Sequence, residues 1–238
     1  METAGYAALS RQKGLLQEVR IVANNIANSA TTGYRQEGLI FSEYVVSGDG
    51  VASSLSMARA EIQNTSLAQG ALTQTNGAFD VAIEGGGFFL IETPDGERLT
   101  RAGAFAPNAD GDLVTMDGFR VLDAGGAPVF VPGGASDIHI ADDGTLSTDG
   151  RLLGQIGLFQ PSDPTTLKRE DGVMFRVDGE IEPDDQSRML QGFLEGSNVN
   201  PILQLSRMID IQRAYELGQS FLDSEDNRIR NAIKSMTR

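Results

Sequence analysis

The chain has 238 residues and a formal net charge of −14, with no cysteine and a single histidine, His139. This length allows one or two domains with a sizeable buried core. The acidic balance argues against binding to nucleic acid or to an anionic membrane, because both need clustered cations, and the lack of cysteine excludes disulfides and cysteine-based zinc sites.

The sequence predicts no membrane insertion. No stretch reaches the ~20 consecutive apolar residues that a transmembrane helix needs. The chain starts with Met1-Glu2, and no apolar segment typical of a secretory signal follows. If the protein leaves the cytosol, we expect it to do so without a cleaved signal peptide.

The charge is distributed unevenly along the chain. Residues 1–45 have a net charge of 0 and residues 199–238 a net charge of +1, whereas residues 46–198 carry −15. Neutral surfaces can pack side by side, while an acidic segment repels its neighbours and favours solvent. We therefore expect the two ends to pack and the middle to face water.

An amphipathic helix is predicted over residues 3–28, ended by Thr31-Thr32-Gly33, because glycine readily takes the left-handed conformation that follows a helix. One apolar seam of this helix repeats every seven residues, as in a coiled coil. Its members are Leu9, Leu16 and Ala23, with Val19 and Ile26 at the second seam position.

The end of this helix carries a cluster of amides, Asn24, Asn25 and Asn28. Asn24 and Asn28 are four residues apart and share one face of the helix. Asparagine is a poor helix former, so the cluster fits a fraying, capping helix end. It also fits an amide stripe that hydrogen-bonds between chains and fixes their register, as buried asparagine does in coiled coils. The spacing does not decide between the two.

A second amphipathic helix, of roughly 35 residues and about 50 Å, is predicted at the C-terminus. Pro201 in its first turn, with Asn198 or Asn200 as the N-cap, marks its start. Its apolar seam again repeats every seven residues, through Met208, Tyr215, Leu222, Ile229 and Met236, with Ile211 at the second position. Neither helix has a core of its own, so the simplest arrangement is an antiparallel pair.

The middle of the chain is typical of antiparallel hairpins. Short apolar segments such as Phe88–Ile91 alternate with turn dipeptides. These dipeptides are Asp95-Gly96, Asp110-Gly111, Asp117-Gly118, Gly125-Gly126, Asp143-Gly144, Asp149-Gly150 and Asp178-Gly179. Residues 46–74 are rich in small polar residues and are interpreted as an extended connector.

These patterns predict a segregated α+β fold. An antiparallel helical stem is built from both chain ends, and a mainly-β domain of hairpins is inserted between them. The expected segments are an N-terminal helical segment (1–45), an extended connector (46–74), an acidic all-β domain (75–192) and a C-terminal helical segment (193–238).

No catalytic, metal or cofactor site is predicted. Carboxylate pairs such as Asp142/Asp143 and Asp184/Asp185 are expected on any acidic surface. The glycines at 85–87 precede a strand, whereas a phosphate cradle needs a helix behind them. His139 alternates with Ile138 and Ile140, which places it on the exposed face of a strand. An enzyme on an acidic β scaffold remains the alternative of a different class.

Several motifs, in order along the chain, resemble those of flagellar basal-body rod and hook proteins. They are Ala23–Asn28, Thr31–Arg35, Asp80–Phe89, Thr100–Phe105, Leu194–Pro201 and Gln212–Glu216. The chain length is similar to that of the proximal-rod members of the family, and the distal-rod members are the alternative.

The resemblance implies a structural protein of the periplasmic rod with no reaction and no cofactor. Its partners would be copies of itself, other rod proteins and the flagellar export apparatus, which would export it unfolded. The terminal helices would line the inside of the rod. The expected assembly residues are then the seam positions and the amide cluster described above.

Overall fold

The computed structural model describes residues 2–46, 55–135 and 137–236, with side chains placed for residues 8–40, 64–135 and 137–236. Part of the expected connector, residues 47–54, lies outside the described residues. No helix in the described ranges is long and apolar enough to cross a membrane.

Two long α-helices lie at the chain ends, α1 (Glu2–Ala27) and α2 (Pro201–Met236), with a 3-10 helix at Pro164–Thr166. The strands between them are β1 (Glu37–Val46), β2 (Leu55–Thr65), β3 (Leu72–Gln74), β4 (Val81–Glu84), β5 (Phe88–Thr93), β6 (Gly96–Thr100), β7 (Phe105–Pro107), β8 (Leu113–Thr115), β9 (Arg120–Val121), β10 (Ile138–Ile140), β11 (Thr145–Thr148), β12 (Arg151–Gln155), β13 (Leu158–Pro161), β14 (Leu167–Asp171), β15 (Met174–Val177), β16 (Ile181–Pro183), β17 (Arg188–Gln191) and β18 (Phe193–Glu195). The prediction of terminal helices around a mainly-β middle is confirmed.

Helix α2 begins where the sequence predicts. The Asn200 side-chain oxygen accepts hydrogen bonds from the backbone N–H groups of Ile202 (3.1 Å) and Leu203 (3.2 Å), and Pro201 occupies the first position of the helix. These bonds satisfy two of the donors that a helix N-terminus leaves unpaired. Asn200 is therefore the N-cap, and Asn198 has a different role.

Helix α1 ends earlier than the glycine signal predicts, at Ala27. The chain then turns at Asn28, whose side-chain oxygen accepts a hydrogen bond from the Thr31 hydroxyl (3.1 Å). Gly33 does have a positive φ of 72°. However, its function is close packing, because an added Cβ would overlap the backbone of Arg101 and Ala102.

The chain forms two compact units, each built from separate pieces of sequence. The helical unit contains Met1–Ala27, Glu37–Asn64 and Asn200–Arg238, and the β unit contains Asn28–Gln36 and Thr65–Val199. Strands β1 and β2 pair with each other inside the helical unit.

In the β unit, all described strand pairs are antiparallel. The largest sheet has the order β14-β15-β6-β5-β9-β8-β7, and β13 joins it by pairing with both β5 and β16. Smaller sheets are β10-β11-β12, β17-β4 and β18-β3. Two apolar clusters, one around Phe89 and Leu113 and one around Phe88 and Phe175, form the core.

Turn chemistry accounts for the hairpins. In six of the seven predicted turn dipeptides, the glycine at the second position has a positive φ, between 75° (Gly150) and 108° (Gly96). Such φ values favour glycine, because the Cβ of other residues would clash with the backbone there. His139 is exposed while Ile140 is buried, as the alternation predicts.

Candidate assembly surface and buried ion cluster

The helical unit has a small apolar core. Ile211 is buried against Leu15 and Val22, and the half-buried residues Val19, Ile26, Met208, Ala214 and Tyr215 pack around them. Four of the predicted seam residues beside Ile211 thus belong to this core. Leu15 and Val22 were missed, because they repeat with the same seven-residue spacing one position before Leu16 and Ala23, and the period alone does not fix the face.

The remaining seam residues lie outside this core. Leu9, Leu16, Ala23, Ile229 and Met236 are exposed, and Leu222 is half-buried. Among the described residues of α2, Gln204 and Ile211 are the buried ones. Several other large apolar side chains of this helix face solvent, namely Ile202, Leu203, Leu205, Ile209, Leu217, Phe221 and Ile233. The helix therefore presents apolar surface that the described residues of this chain do not cover.

Polar contacts join α1 and α2 within the helical unit. Arg207 donates to the Glu18 carboxylate at 2.8 Å. Nearer the end of α1, the buried Asn25 amide donates to the Gln204 side-chain oxygen at 3.3 Å. Asn25 Nδ2 also donates to the backbone oxygen of Glu37 (2.8 Å), and Asn25 Oδ1 accepts from the Glu37 N–H (2.9 Å).

The amide cluster thus divides into three environments. Asn25 is buried and hydrogen-bonds to the first residue of β1 within the chain, which differs from a fraying helix end. Its part in contacts between chains stays a prediction. Asn28 belongs to the turn that follows α1. Asn24 is exposed, and its role in contacts between chains stays a prediction.

Replacing Asn25 with alanine should destabilise the helical unit. The change removes the two hydrogen bonds that the Asn25 side chain makes with the Glu37 backbone, and removing one partner of a buried hydrogen bond costs about 1–3 kcal/mol. We expect a loss of about 2–4 kcal/mol in the free energy of unfolding, measured by urea denaturation. Asn231→Ala, at an exposed site of α2, is the control and should change stability by at most about 0.5 kcal/mol. Equal effects of the two changes would contradict the assigned role of Asn25.

The β unit contains a buried ion cluster made of Arg35, Arg101 and Glu195, each at most 2% exposed. Glu195 Oε1 lies 2.7 Å from Arg35 Nη1, and Glu195 Oε2 lies 3.2 Å from Arg101 Nη1. One carboxylate therefore bridges two guanidinium groups. Burying such charges is costly unless they are paired and hydrogen-bonded.

Backbone groups bind to the cluster as well, while Arg35 Nε, Arg35 Nη2 and Arg101 Nε have no hydrogen-bond partner among the described residues. Glu195 Oε1 accepts a hydrogen bond from the Gly70 N–H (2.7 Å), and the Glu195 backbone oxygen accepts one from the Gly33 N–H (2.7 Å). Arg101 donates to the Gly85 oxygen (2.7 Å) and Arg35 donates to the Ala68 oxygen. The Arg101 guanidinium also lies 4.9 Å from the ring centre of Phe88, a cation–π distance.

The electrostatics of the cluster are dominated by burial. Burial lowers the pKa of Arg35, while Glu195 opposes this shift by its charge and its hydrogen bond. Burial and the neighbouring charge of Arg35 lower the pKa of Arg101 to about 10, with Glu195 and Asp184 acting in the opposite direction. Glu195 is the carboxylate that both guanidinium groups share.

Asn198 makes a second set of long-range contacts in the β unit. Its side-chain oxygen accepts from the Gln36 N–H at 2.6 Å. Its side-chain nitrogen donates to the backbone oxygens of Ser66 (3.2 Å) and Ala68 (2.7 Å). The sequence indicates Asn198 as a possible helix cap and as part of a family motif, but no local pattern indicates these partners.

Two of the carboxylate pairs lie together at one cleft of the β unit. Asp142, Asp143, Asp184 and Asp185 line one cleft of about 450 Å³ in the β unit. Hydrogen bonds from the backbone and side chain of Thr145 lower the pKa of Asp143, as in an ordinary turn. Burial opposes but does not prevent a lowered pKa at Asp184, which accepts hydrogen bonds from Ser187 and Gln186. In the described part of the chain, no group of three or more candidate metal ligands is present.

Comparison with known proteins gives three matches along the chain. Residues 6–35 match the flagella basal body rod protein family, residues 82–148 the flagellar hook protein FlgE/F/G D1 domain, and residues 190–235 the flagellar basal body rod FlgEFG protein C-terminal family. Each matched segment contributes one member of the ion cluster, respectively Arg35, Arg101 and Glu195.

Individual relatives match over almost their whole length. The chain is 35% identical to the flagellar basal-body rod protein FlgF of Caulobacter vibrioides and 36% identical to that of Rhizobium meliloti, in each case over 99% of this chain and 98% of the relative. It is 32% identical to the flagellar basal-body rod protein FlgG of Agrobacterium fabrum, over 87% of this chain and 89% of that protein. The chain therefore belongs to the flagellar basal-body rod protein family.

Proposed function

We propose that the chain is a subunit of the proximal part of the flagellar rod, which assembles through its terminal helices and transmits torque. Proteins of its family are structural parts of the flagellar basal body, and the chain is a structural protein and not an enzyme. The proximal position is inferred from the FlgF relatives, which match more of the chain, at higher identity, than the FlgG relative described above.

The observation that carries this proposal is the contrast between the two units. The β unit buries large apolar clusters of its own, so it needs no partner to be stable. Helix α2, in contrast, is 36 residues long and leaves most of its apolar side chains exposed. A helix of this kind depends on packing against other elements. Neighbouring subunits supply those elements in the proposed assembly.

We further propose that α1 and α2 form an antiparallel stem. Contacts run in opposite directions along the two helices, from Asn25 with Gln204, through Glu18 with Arg207, to Gln12 beside Gly218. The neutral charge of residues 1–45 and 199–238 supports close packing of such stems, whereas the −15 charge of the middle favours an outward, solvated position. The exposed seam residues Leu9, Leu16, Ile229 and Met236 are then contacts between subunits.

The remaining partners follow from the family. Copies of this chain and other rod proteins are the proposed neighbours in the periplasmic rod, and the flagellar export apparatus is the proposed route. The division of the chain at residues 45, 74 and 192 stays a prediction.

Two variants with almost equally exposed side chains test the proposal. Ile202 on α2 is 78% exposed and Met116 in the β unit is 80% exposed. Ile202→Glu should abolish swimming and prevent incorporation into basal bodies, because it places a charge on the proposed subunit contact. Folding should persist, since an acidic residue in the first helical turn is favourable. Met116→Glu should swim like the wild type.

The measurements are swimming in soft agar and detection of the protein in isolated basal bodies, in cells whose own copy of the gene is deleted. Circular dichroism of both purified variants checks folding. Swimming by Ile202→Glu cells, together with loss of swimming by Met116→Glu cells, would overturn assembly through the helices.

A further inference from the structure

One asparagine of the β unit lies in a setting that favours reaction with its own backbone. Asn76-Gly77 is the one Asn-Gly pair of the sequence. Asn76 follows β3, is exposed and has a positive φ of 59°, a conformation that asparagine tolerates better than most residues. The Asn76 amide carbon and the Gly77 backbone nitrogen belong to adjacent residues, so rotation about the bonds of Asn76 is enough to bring them together.

The Gly77 nitrogen is connected to a carboxylate through one hydroxyl group. The Gly77 N–H donates to Thr75 Oγ1 at 3.3 Å, and the Thr75 hydroxyl donates to Asp80 Oδ2 at 2.6 Å. The Gly192 backbone oxygen is a second acceptor for this hydroxyl, at the longer distance of 3.3 Å. A carboxylate that receives a proton through a hydroxyl can serve as a general base. Thr75 and Asp80 are therefore placed to draw a proton from Gly77.

The Asn76 side chain has a hydrogen-bond donor at the atom where negative charge develops. Gln74 Nε2 donates to Asn76 Oδ1 at 2.9 Å. Attack at the amide carbon moves electrons onto this oxygen, and a donor at this position stabilises the resulting oxyanion. The attacking nitrogen and the attacked carbonyl group thus each have a partner suited to the reaction.

Glycine at position 77 allows the carboxylate to lie close to the nitrogen. A Cβ at this position would overlap Asp80 Oδ2 and lie 2.7 Å from Asp80 Cγ. The Asp80 N–H also donates to the Gly77 backbone oxygen at 3.3 Å, which closes a turn. We call residues 74–80 the Asn76 turn.

We propose that the Asn76 turn promotes its own deamidation, so that Asn76 is a self-modification site of the β unit. The Gly77 nitrogen bonds to Asn76 Cγ with its lone pair, and its proton passes by way of Thr75 and Asp80 to the departing amide nitrogen. The Cγ–Nδ2 bond breaks with its electron pair, and ammonia leaves. Water then opens the succinimide ring at either carbonyl carbon, which gives aspartate or isoaspartate at position 76.

The reaction changes the junction between β3 and β18. The Thr75 and Asn76 N–H groups both donate to the Gly192 backbone oxygen, at 2.8 and 3.0 Å. Isoaspartate adds a methylene group to the main chain at position 76, which displaces the chain that follows these donors. Either product also adds a negative charge to a middle segment that already carries −15. We expect the converted protein to unfold at a lower temperature than the unconverted protein.

Incubation of the purified full-length chain at neutral pH tests the proposal. Peptide mass spectrometry follows the conversion, in water enriched in heavy oxygen, which labels the product of ring opening. The folded chain should convert Asn76 several-fold faster than the chain unfolded in urea, because only the folded chain holds these contacts. Asn108, whose side-chain oxygen accepts two backbone hydrogen bonds in a turn, is the reference position and should convert more slowly.

Substitutions of Thr75 isolate the role of its hydroxyl group. Thr75→Val removes the hydroxyl at nearly the same volume and should lower the rate of the folded chain to that of the unfolded chain. Thr75→Ser keeps the hydroxyl and should retain most of the wild-type rate. Asp80→Asn keeps an acceptor oxygen but removes the base, so it should slow the reaction in the folded chain and not in urea. Circular dichroism checks that each variant is folded.

A folded wild-type chain that converts Asn76 no faster than the unfolded chain would overturn the proposal. So would a folded Thr75→Val variant that converts as fast as Thr75→Ser. The inference uses contacts of the β unit alone, so neither result bears on the rod proposal, which the swimming and basal-body measurements test separately.

Discussion

Replacing Glu195 with glutamine should destabilise the β unit by about 3–5 kcal/mol, the cost of leaving buried charges without their partner. The variant has nearly the same size and shape, so packing is preserved. Arg35 and Arg101, however, remain charged and buried beside a neutral group. The measurement is the free energy of unfolding of the full chain, from urea denaturation followed by near-ultraviolet circular dichroism.

Glu92→Gln is the matched control. Glu92 pairs with Arg120 at 3.4 Å, but both side chains are half exposed. Exposed pairs contribute about 0–1 kcal/mol, so this variant should unfold almost like the wild type. If the two variants lose similar stability, burial of the cluster does not make the difference we assign to it.

Gly103→Ala should cost about 3 kcal/mol or more, by overpacking. A Cβ at this position would overlap the Val81 carbonyl oxygen and lie 2.9 Å from the carbonyl carbon. Val81 belongs to β4 in the core, and its backbone cannot move aside as a flexible side chain would. The Cε2 atom of Phe89 lies 3.1 Å from the same Cβ position, so a shift toward the Phe89 ring is also hindered. The expected result is a lower unfolding midpoint, or a β unit that does not reach its native near-ultraviolet spectrum.

Gly86→Ala provides the comparison for this steric argument. Gly86 lies in the run of three glycines, and a Cβ there would have nothing within 4 Å. The same chemical change should therefore alter stability by less than about 1 kcal/mol. A Gly103→Ala variant as stable as Gly86→Ala would refute the close approach to Val81.

The sequence allowed prediction of features that depend on neighbouring residues. The start of α2 at Pro201, the positive φ of the turn glycines and the exposed side of His139 were all predictable, because each follows from local geometry. The buried face of α1 was only half predictable. Two seven-residue repeats run one position apart, through Leu15 and through Leu16, and the contacts with α2 decide which one is buried.

The ion cluster was not predictable in this way. Its members stand far apart in the sequence, and each alone is typical of an exposed charged residue. The motifs that contain Arg35, Arg101 and Glu195 were noticed because they resemble a family, but nothing local indicates that their charges meet. The sequence also did not predict which residues form each unit. In the β unit, Asn28–Gln36 and Thr65–Val199 join through long-range contacts such as those of Asn198.

The position of Glu195 near the end of the β unit has a consequence for the order of folding. The charge of Arg35 is neutralised by Glu195, which lies 160 positions later in the sequence. A chain that emerges with its N-terminus first therefore cannot complete the β unit until residues 193–199 have emerged. Contacts between such distant residues slow folding, because the entropy of the closing loop is lost before the contact stabilises the fold. We therefore expect the ion cluster to form late in folding, once nearly the whole β unit is present.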